Sequence, residues 1–166
     1  MKEDRVKFVL VDRLEALEPG KKIVMAKNVS MAEEYLADHF PNFPVLPGVM
    51  MLEAATQTAA WLVRVQNNFA QSMVVLKEVR GVRYGTFVSP GNTLTITAEA
   101  GEITAAKSDF KVKGTVNGQT AFQAKMELAH LNLAANDAGM AKIDEMIIKA
   151  MRERWEEFKW RSGLAI

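Results

Sequence analysis

A long apolar segment with a single acid in it constrains the fold more than any other part of the sequence. Most residues from Val49 to Val65 are apolar, and Glu53 is the one carboxylate among them. Alanine is frequent in this segment, which favours an α-helix. A helix that is apolar on all sides has to be covered on all sides by the rest of the domain. The sequence therefore predicts a central helix with other elements wrapped around it.

Patterns typical of strands occur on both sides of this segment along the chain. Residues 93–100 alternate between apolar and polar side chains, as in a strand with one buried face. Asn117 and Gly118 lie between two alternating runs and give a strong hairpin signal. The predicted strands are 6–14, 21–29, 73–76, 83–88, 93–100, 110–116 and 122–128, and a short helix is predicted at 30–37, where Ser30 and Glu33 have the spacing of a capping box. This order indicates an α+β fold with an antiparallel sheet around one helix.

The C-terminal part of the chain has a different pattern. Asn136 and Asp137 are candidate helix N-caps, and apolar residues then recur at helical spacing between Lys, Arg and Glu. The apolar positions are Met140, Ile143, Ile147, Met151, Trp155 and Phe158. We expect an amphipathic helix whose apolar stripe packs on the sheet or on a second subunit, and its mixed charge argues against a membrane surface. The sequence thus predicts two units, a domain at 1–133 and a helical extension at 134–166.

Composition argues against several classes of function. The formal net charge of +1 gives no sign of a nucleic-acid partner. The absence of cysteine removes disulfides and thiolate metal sites, and two distant histidines, His39 and His130, make a poor ligand set. We therefore expect no metal and no cofactor. The N-terminus lacks the apolar core of a signal peptide, and no apolar run is long enough for a membrane span, so a cytoplasmic protein is predicted.

Two ionisable residues, His39 and Glu53, mark the candidate site. His39 lies in a loop with three prolines within seven residues, which restrict the backbone. Histidine titrates near neutral pH, which suits a general base. Glu53 has apolar neighbours, and burial favours the protonated form of a carboxyl, which suits a general acid. The alternative for Glu53 is a glutamate near a helix start that interacts only with the helix dipole.

Two further residues support this chemistry. Gln57 lies one turn after Glu53 on the same helix face and can hydrogen-bond its carboxyl. Gly48 follows Pro47 at the start of the helix, where a backbone N–H at the positive end of the dipole can stabilise an oxyanion. The stretch therefore holds candidates for a base, an acid and an oxyanion donor.

The motif HFPNFPVLPGVMMLEAATQ, residues 39–57, resembles the signature of the (3R)-hydroxyacyl-acyl carrier protein dehydratases of the FabZ type and their FabA relatives. Three other segments are similar to this family: LVDR at 10–13, KNVS at 27–30 and VSPGN at 88–92. The resemblance covers about residues 5–131. It implies the hotdog fold, in which a sheet wraps one long helix. It also implies dehydration of a 3-hydroxyacyl thioester to a trans-2-enoyl thioester, in fatty acid or related lipid biosynthesis.

The same resemblance implies a role for each residue of the motif. His39 corresponds to the base that removes the C2 proton, and Glu53 to the acid that protonates the leaving 3-hydroxyl. The Gly48 N–H corresponds to the donor that polarises the thioester carbonyl. Gln57 corresponds to the residue that holds Glu53.

Partners and assembly are also implied by the resemblance. The substrate is expected on acyl carrier protein, and Phe40 and Pro47 are expected at the substrate. The histidine and the glutamate of one site come from different protomers, so we expect a homodimer, with a trimer of dimers as the higher assembly. The candidate docking residues for an acidic carrier protein are basic: Lys77, Arg80 and Arg83.

The sequence departs from the family pattern at a few positions. Asp38 and Asn42 stand where glycine is usual, and Gly85 and Thr86 stand where a basic pair is usual. Relative to the family, we expect no N-terminal helix in this sequence and an additional helix at its C-terminal side. These differences indicate a divergent member.

Two other functions fit parts of the sequence. A hotdog acyl-thioesterase needs a carboxylate on the helix but not the His-Phe-Pro loop. A non-catalytic module that binds acyl chains or carrier protein needs neither His39 nor Glu53.

Overall fold

A computed structural model describes residues 8–166 and contains six strands and three α-helices. In chain order these are β1 (Arg13–Glu18), β2 (Lys22–Asn28), α1 (Tyr35–Asp38), α2 (Gly48–Gln66), β3 (Met73–Tyr84), β4 (Thr93–Ile103), β5 (Lys107–Val116), β6 (Gln119–Leu131) and α3 (Ala141–Ser162). The strands form one sheet in the order β1-β2-β4-β5-β6-β3, and every neighbouring pair is antiparallel. No helix in this part of the chain has the length and apolar character needed to cross a membrane.

The core lies between α2 and one face of the sheet. Four alanines of α2 are fully or almost fully buried, and their small side chains allow the strands to approach the helix closely: Ala54, Ala55, Ala59 and Ala60. The sheet contributes larger buried side chains from alternate positions, among them Ile23, Met25, Leu94, Ile96, Phe122 and Leu128. The predicted α+β hotdog fold, with a sheet around one long helix, is thus confirmed.

The first predicted strand, 6–14, is wrong at its start. The strand begins only at Arg13, and Val6 lies outside the described residues. Leu10 and Val11 are both buried although they are adjacent, so this segment does not alternate like a strand. At Leu10 the backbone hydrogen-bonds to the central helix and not to a strand: the Leu10 N–H donates to the Gln57 side chain at 2.9 Å.

Two other predictions need correction in the same way. The predicted strands 73–76 and 83–88 are one strand, β3, which ends at Tyr84. Exposed polar residues interrupt its apolar pattern, and its pairing with β6 is irregular around Gly81, which has a φ of 60°. The Ser30 N–H donates to the Glu33 carboxyl at 3.2 Å, and the Ser30 hydroxyl accepts the Ala32 N–H at 3.1 Å. These bonds close a turn and cap no helix, since the helix comprises only Tyr35–Asp38, with Glu34 as its N-cap.

The predicted C-terminal helix is confirmed as α3. It packs against β1 and against the C-terminal half of α2, where its buried Trp155 and Phe158 meet Trp61. The Trp61 and Trp155 rings stack with centroids 5.9 Å apart, and Phe158 meets Trp61 edge-on at 5.3 Å. The helix therefore covers the end of the central helix within the same chain.

A buried carboxylate anchors the start of this extension. Asp144 is 6% exposed and accepts hydrogen bonds from the Leu133 and Ala134 N–H groups, each at 2.9 Å, and from the Ser72 hydroxyl. Burial of the carboxyl opposes ionisation, but these three donors outweigh it and hold the pKa of Asp144 below its ordinary value of 3.8. One side chain thus ties α3 to the loop before β3 and to the turn after β6.

Replacing Asp144 with asparagine is expected to destabilise the protein in a pH-dependent way. The folded-state pKa is depressed, so the ionised carboxylate contributes stability above the ordinary carboxyl pKa and loses it as the pH falls through the folded value. Urea unfolding of wild type and D144N should give a large difference in unfolding free energy at pH 7 that shrinks towards pH 3. Glu145→Gln changes an exposed neighbour and should give a small difference throughout. A D144N effect that is equal at both pH values would contradict this account.

Candidate active site

His39 is held in one orientation by its own loop. It follows α1, and its N–H donates to the Tyr35 carbonyl at 3.2 Å. Its Nδ1 lies 3.0 Å from the carbonyl oxygen of Val45. Because a carbonyl only accepts, Nδ1 carries the proton in the neutral ring, and Nε2 keeps its lone pair. The half-buried imidazole therefore presents a free acceptor nitrogen, as a general base requires.

The loop around His39 has an unusual backbone. Phe40 has a φ of 54°, in the left-handed region that is uncommon for a bulky residue. Its ring lies 4.5 Å from the imidazole, and its carbonyl accepts the Phe43 N–H at 2.7 Å to close a tight turn. The loop is then fixed to the segment between β3 and β4, where the Leu46 N–H donates to the Val88 carbonyl at 2.8 Å. Strain at Phe40 is a typical property of functional sites.

Asp38 and Asn42, which replace the usual glycines, are both exposed. Neither has a positive φ, whereas Phe40 between them does. The backbone thus does not require glycine at either position, so aspartate and asparagine introduce no backbone strain there.

Glu53 is held by a chain of hydrogen bonds that ends at the N-terminal segment. Gln57 Nε2 donates to Glu53 Oε1 at 2.9 Å, as the helical spacing predicts. Gln57 Oε1 accepts the Leu10 N–H at 2.9 Å, and Nε2 also lies 3.2 Å from the Phe8 carbonyl oxygen. The backbone N–H fixes which end of the amide faces Leu10, so the NH₂ end must face Glu53. Gln57 is therefore a positioning residue for a half-buried carboxyl.

Gly48 is the first residue of α2, after Pro47. The Pro47 carbonyl accepts from the Met50 and Met51 N–H groups, at 3.0 and 3.2 Å. The Gly48 N–H donates to no acceptor within residues 8–166. The ring of Tyr84 lies against Gly48, since a Cβ there would come within 2.6 Å of Tyr84 Cζ. The helix start therefore offers a free donor, and a side chain larger than hydrogen would force Tyr84 to move.

The residues of this site match a known family in order and spacing. A family model described as the FabA-like domain matches residues 3–125. The chain belongs to the FabA-like family. A protein from Ruminiclostridium cellulolyticum, named 3-hydroxyacyl-acyl-carrier-protein dehydratase FabZ, is 36% identical over 125 residues, which cover 75% of this chain and 88% of that protein.

Solved structures resemble this FabA-like chain in fold. The dehydratase heterocomplex ApeI:P from Xenorhabdus doucetiae gives a TM-score of 0.64 at 17% identity, over 76% of this chain and 85% of that one. A mutant thioesterase from Pseudomonas aeruginosa gives a TM-score of 0.56 at 15% identity, over 73% and 81%. At these identities the likeness concerns the hotdog fold alone. Because a thioesterase shares it, only the site residues distinguish the two chemistries.

Within this single FabA-like chain, only some of the predicted site residues contact one another. Gln57 and Glu53 meet, and His39 lies on the loop before α2. No hydrogen bond joins His39 to Glu53 in the part of the chain that the structure describes. His39 and Glu53 therefore do not form a hydrogen-bonded dyad within the described part of one chain.

The three basic residues predicted for docking all lie exposed on β3. Lys77 pairs with Glu127 at 2.6 Å, and hydrogen bonding to this carboxylate raises the pKa of Lys77. Arg80 pairs with Glu78 at 2.9 Å. Arg83 forms no ion pair with any residue from 8 to 166. Two of the three predicted cations thus already have an acidic neighbour within ion-pair distance.

The sequence analysis did not identify three further lysines that lie near Arg80 on the outer face of the sheet. Lys111 lies opposite Lys125 across β5 and β6, and Lys125 lies opposite Arg80 across β6 and β3. Lys113 is on the next row, and the rows line a groove of about 970 Å³. Only the strand register places these residues together, because they are distant in sequence.

Proposed function

We propose that this chain dehydrates (3R)-3-hydroxyacyl groups on acyl carrier protein to trans-2-enoyl groups. The observation that carries the proposal is the fixed orientation of His39: its Nδ1 bonds to the Val45 carbonyl, and its Nε2 has no partner within the described residues 8–166. The relatives named as FabZ dehydratases support the same reaction. The cytoplasmic location stays a prediction.

The chemistry uses three groups of the site. His39 Nε2 takes a proton from C2, and the electron pair forms the C2–C3 double bond as the C3–O bond breaks. Glu53 gives its proton to the departing hydroxyl, which leaves as water. Charge that develops on the thioester oxygen is stabilised by the Gly48 N–H at the positive end of α2. The cycle ends with a protonated imidazole and a carboxylate, and transfer of one proton between them resets the site.

We further propose that the site forms across a homodimer. Strand β3 is an edge of the sheet, so its outer side is available to pair with a second copy. Three large apolar side chains near the site are more than half exposed in a single chain: Phe43, Phe87 and Val49. A second protomer would cover them and bring its glutamate to this histidine. A trimer of dimers is the higher assembly that we expect.

Mixing two inactive variants tests the shared site. A dimer of one H39A chain and one E53Q chain has one site with both substitutions and one intact site. If the subunits are co-expressed and pair at random, about a quarter of wild-type activity should return. If both groups came from one chain, every mixture would stay inactive. Light scattering on the same samples gives the assembly state.

An assay with several thioesters separates the dehydratase from the alternatives. Enoyl thioester and water are the expected products from 3-hydroxyacyl-carrier protein. Release of free thiol would instead indicate a thioesterase, which the shared fold permits. Tight acyl binding without turnover would indicate a binding module. A panel of acyl chain lengths on the carrier protein then gives the substrate preference.

A further inference from the structure

Tyr84 touches the residue that carries the proposed oxyanion donor. A Cβ built on Gly48 would lie 2.6 Å from Tyr84 Cζ and 2.9 Å from its hydroxyl oxygen. A carbon–carbon bond measures about 1.5 Å, so the hydroxyl lies within about 4.4 Å of Gly48 Cα. The hydroxyl therefore lies beside Gly48, the residue whose N–H opens α2.

The Tyr84 hydroxyl is free to act on a ligand. Within residues 8–166 it makes no hydrogen bond, and the residue is 53% exposed in a single chain. Partial burial of the phenol raises its pKa above the ordinary value of 10.0. The group is thus a neutral O–H donor at the pH at which the proposed reaction runs.

The backbone holds Tyr84 in this position. It is the last residue of β3 and pairs with Phe122 of β6. The next N–H, of Gly85, donates to the Ala121 carbonyl at 2.8 Å. A Cβ on Gly85 would lie 2.2 Å from the Thr120 carbonyl oxygen, so only glycine permits this close approach. Strand pairing with β6 thus holds Tyr84 in place, and Gly48 is held as the first residue of α2.

We propose that the Tyr84 hydroxyl is a second hydrogen-bond donor, beside the Gly48 N–H, to the thioester carbonyl oxygen of the substrate. This inference rests on the proposed dehydration. A carbonyl oxygen has two lone pairs, and an oxyanion site works best when two donors point at the developing charge. One donor comes from the helix and the other from the sheet. Tyr84 is then a catalytic residue, and its loss affects turnover more than binding.

Removing one hydroxyl tests this role. Tyr84→Phe keeps the ring against Gly48 and deletes only the donor, and kcat for dehydration should fall about 100-fold with KM changed by about twofold or less. Tyr35 is the other tyrosine in the chain, and its hydroxyl bonds to Glu33. Tyr35→Phe is therefore the matched control, with kcat expected within about twofold of wild type. Equal kcat in Tyr84→Phe and wild type would overturn the inference and leave the dehydratase proposal intact. A wild type without dehydratase activity would overturn both.

A pH profile separates a donor from a packing role. Wild-type activity should decline at alkaline pH as the Tyr84 hydroxyl ionises, and this decline should be absent in Tyr84→Phe. In the Tyr35→Phe background, 3-fluorotyrosine labels Tyr84 alone and makes its hydroxyl more acidic, so the alkaline decline should move to lower pH. An alkaline decline that is the same with tyrosine and with fluorotyrosine would overturn the inference, even if Tyr84→Phe folded poorly.

Discussion

Replacing His39 with alanine is expected to lower dehydratase turnover by about 10²- to 10⁴-fold, which is the usual contribution of a general base. His39 Nδ1 bonds to the Val45 carbonyl, and Nε2 has no hydrogen-bond partner among residues 8–166. Formation of the enoyl thioester, followed by its ultraviolet absorbance, measures the rate. Thermal unfolding should change little, since the side chain is only half-buried.

His130→Gln provides the histidine control for this experiment. His130 is buried, and its two ring nitrogens lie 2.8 Å from the Ser108 hydroxyl and 3.1 Å from the Thr104 carbonyl. This variant should lose stability but keep its turnover per folded molecule at low temperature. Glu53→Gln preserves the shape of the acid and should be as slow as H39A. Normal rates in both H39A and E53Q would rule out the dehydratase mechanism.

Truncating Trp155 to alanine should have the largest effect on stability, a loss of about 3–5 kcal/mol. The indole is 6% exposed and stacks on Trp61, with the ring centroids 5.9 Å apart. The substitution leaves a cavity between α3 and α2 that the rigid helices cannot fill. Chemical denaturation followed by circular dichroism gives the change in unfolding free energy.

Trp160 on the same helix is the matched control. It is 84% exposed, so Trp160→Ala removes the same side chain without leaving a cavity and should change stability by about 0.5 kcal/mol or less. Equal effects of the two substitutions would mean that α3 does not pack on α2 in solution. Activity measured below the unfolding temperature then tests whether α3 also influences the site.

Patterns in the local sequence were enough to predict the central helix, one hydrogen bond within it and three of the strands. The all-round apolar character of residues 49–65 predicted a central helix, because such a helix has to be covered on every side. The spacing of Glu53 and Gln57 predicted their hydrogen bond, because residues four apart in a helix face each other. The alternation at 93–100 and the turn at Asn117 and Gly118 predicted β4, β5 and β6 for similar reasons.

Strand β3 shows where a local pattern fails. Its outer face meets solvent and its edge is unpaired in the sheet, so charged residues and Gly81 interrupt the apolar alternation. The sequence therefore reads as two short runs, although pairing with β6 continues to Tyr84. Likewise, the segment before β1 resembles a strand, but its N–H at Leu10 bonds to a side chain of the central helix.

The sequence by itself determined the helix, the family motif and the residues that carry the proposed chemistry. Only the tertiary structure placed Tyr84 against Gly48, turned His39 Nδ1 towards the Val45 carbonyl and stacked Trp155 on Trp61. The physical reason is that helix spacing and strand alternation relate residues a few positions apart, whereas these contacts join elements through strand register and helix packing. Tyr84 and Gly48 are 36 positions apart in the chain, and no local pattern relates them.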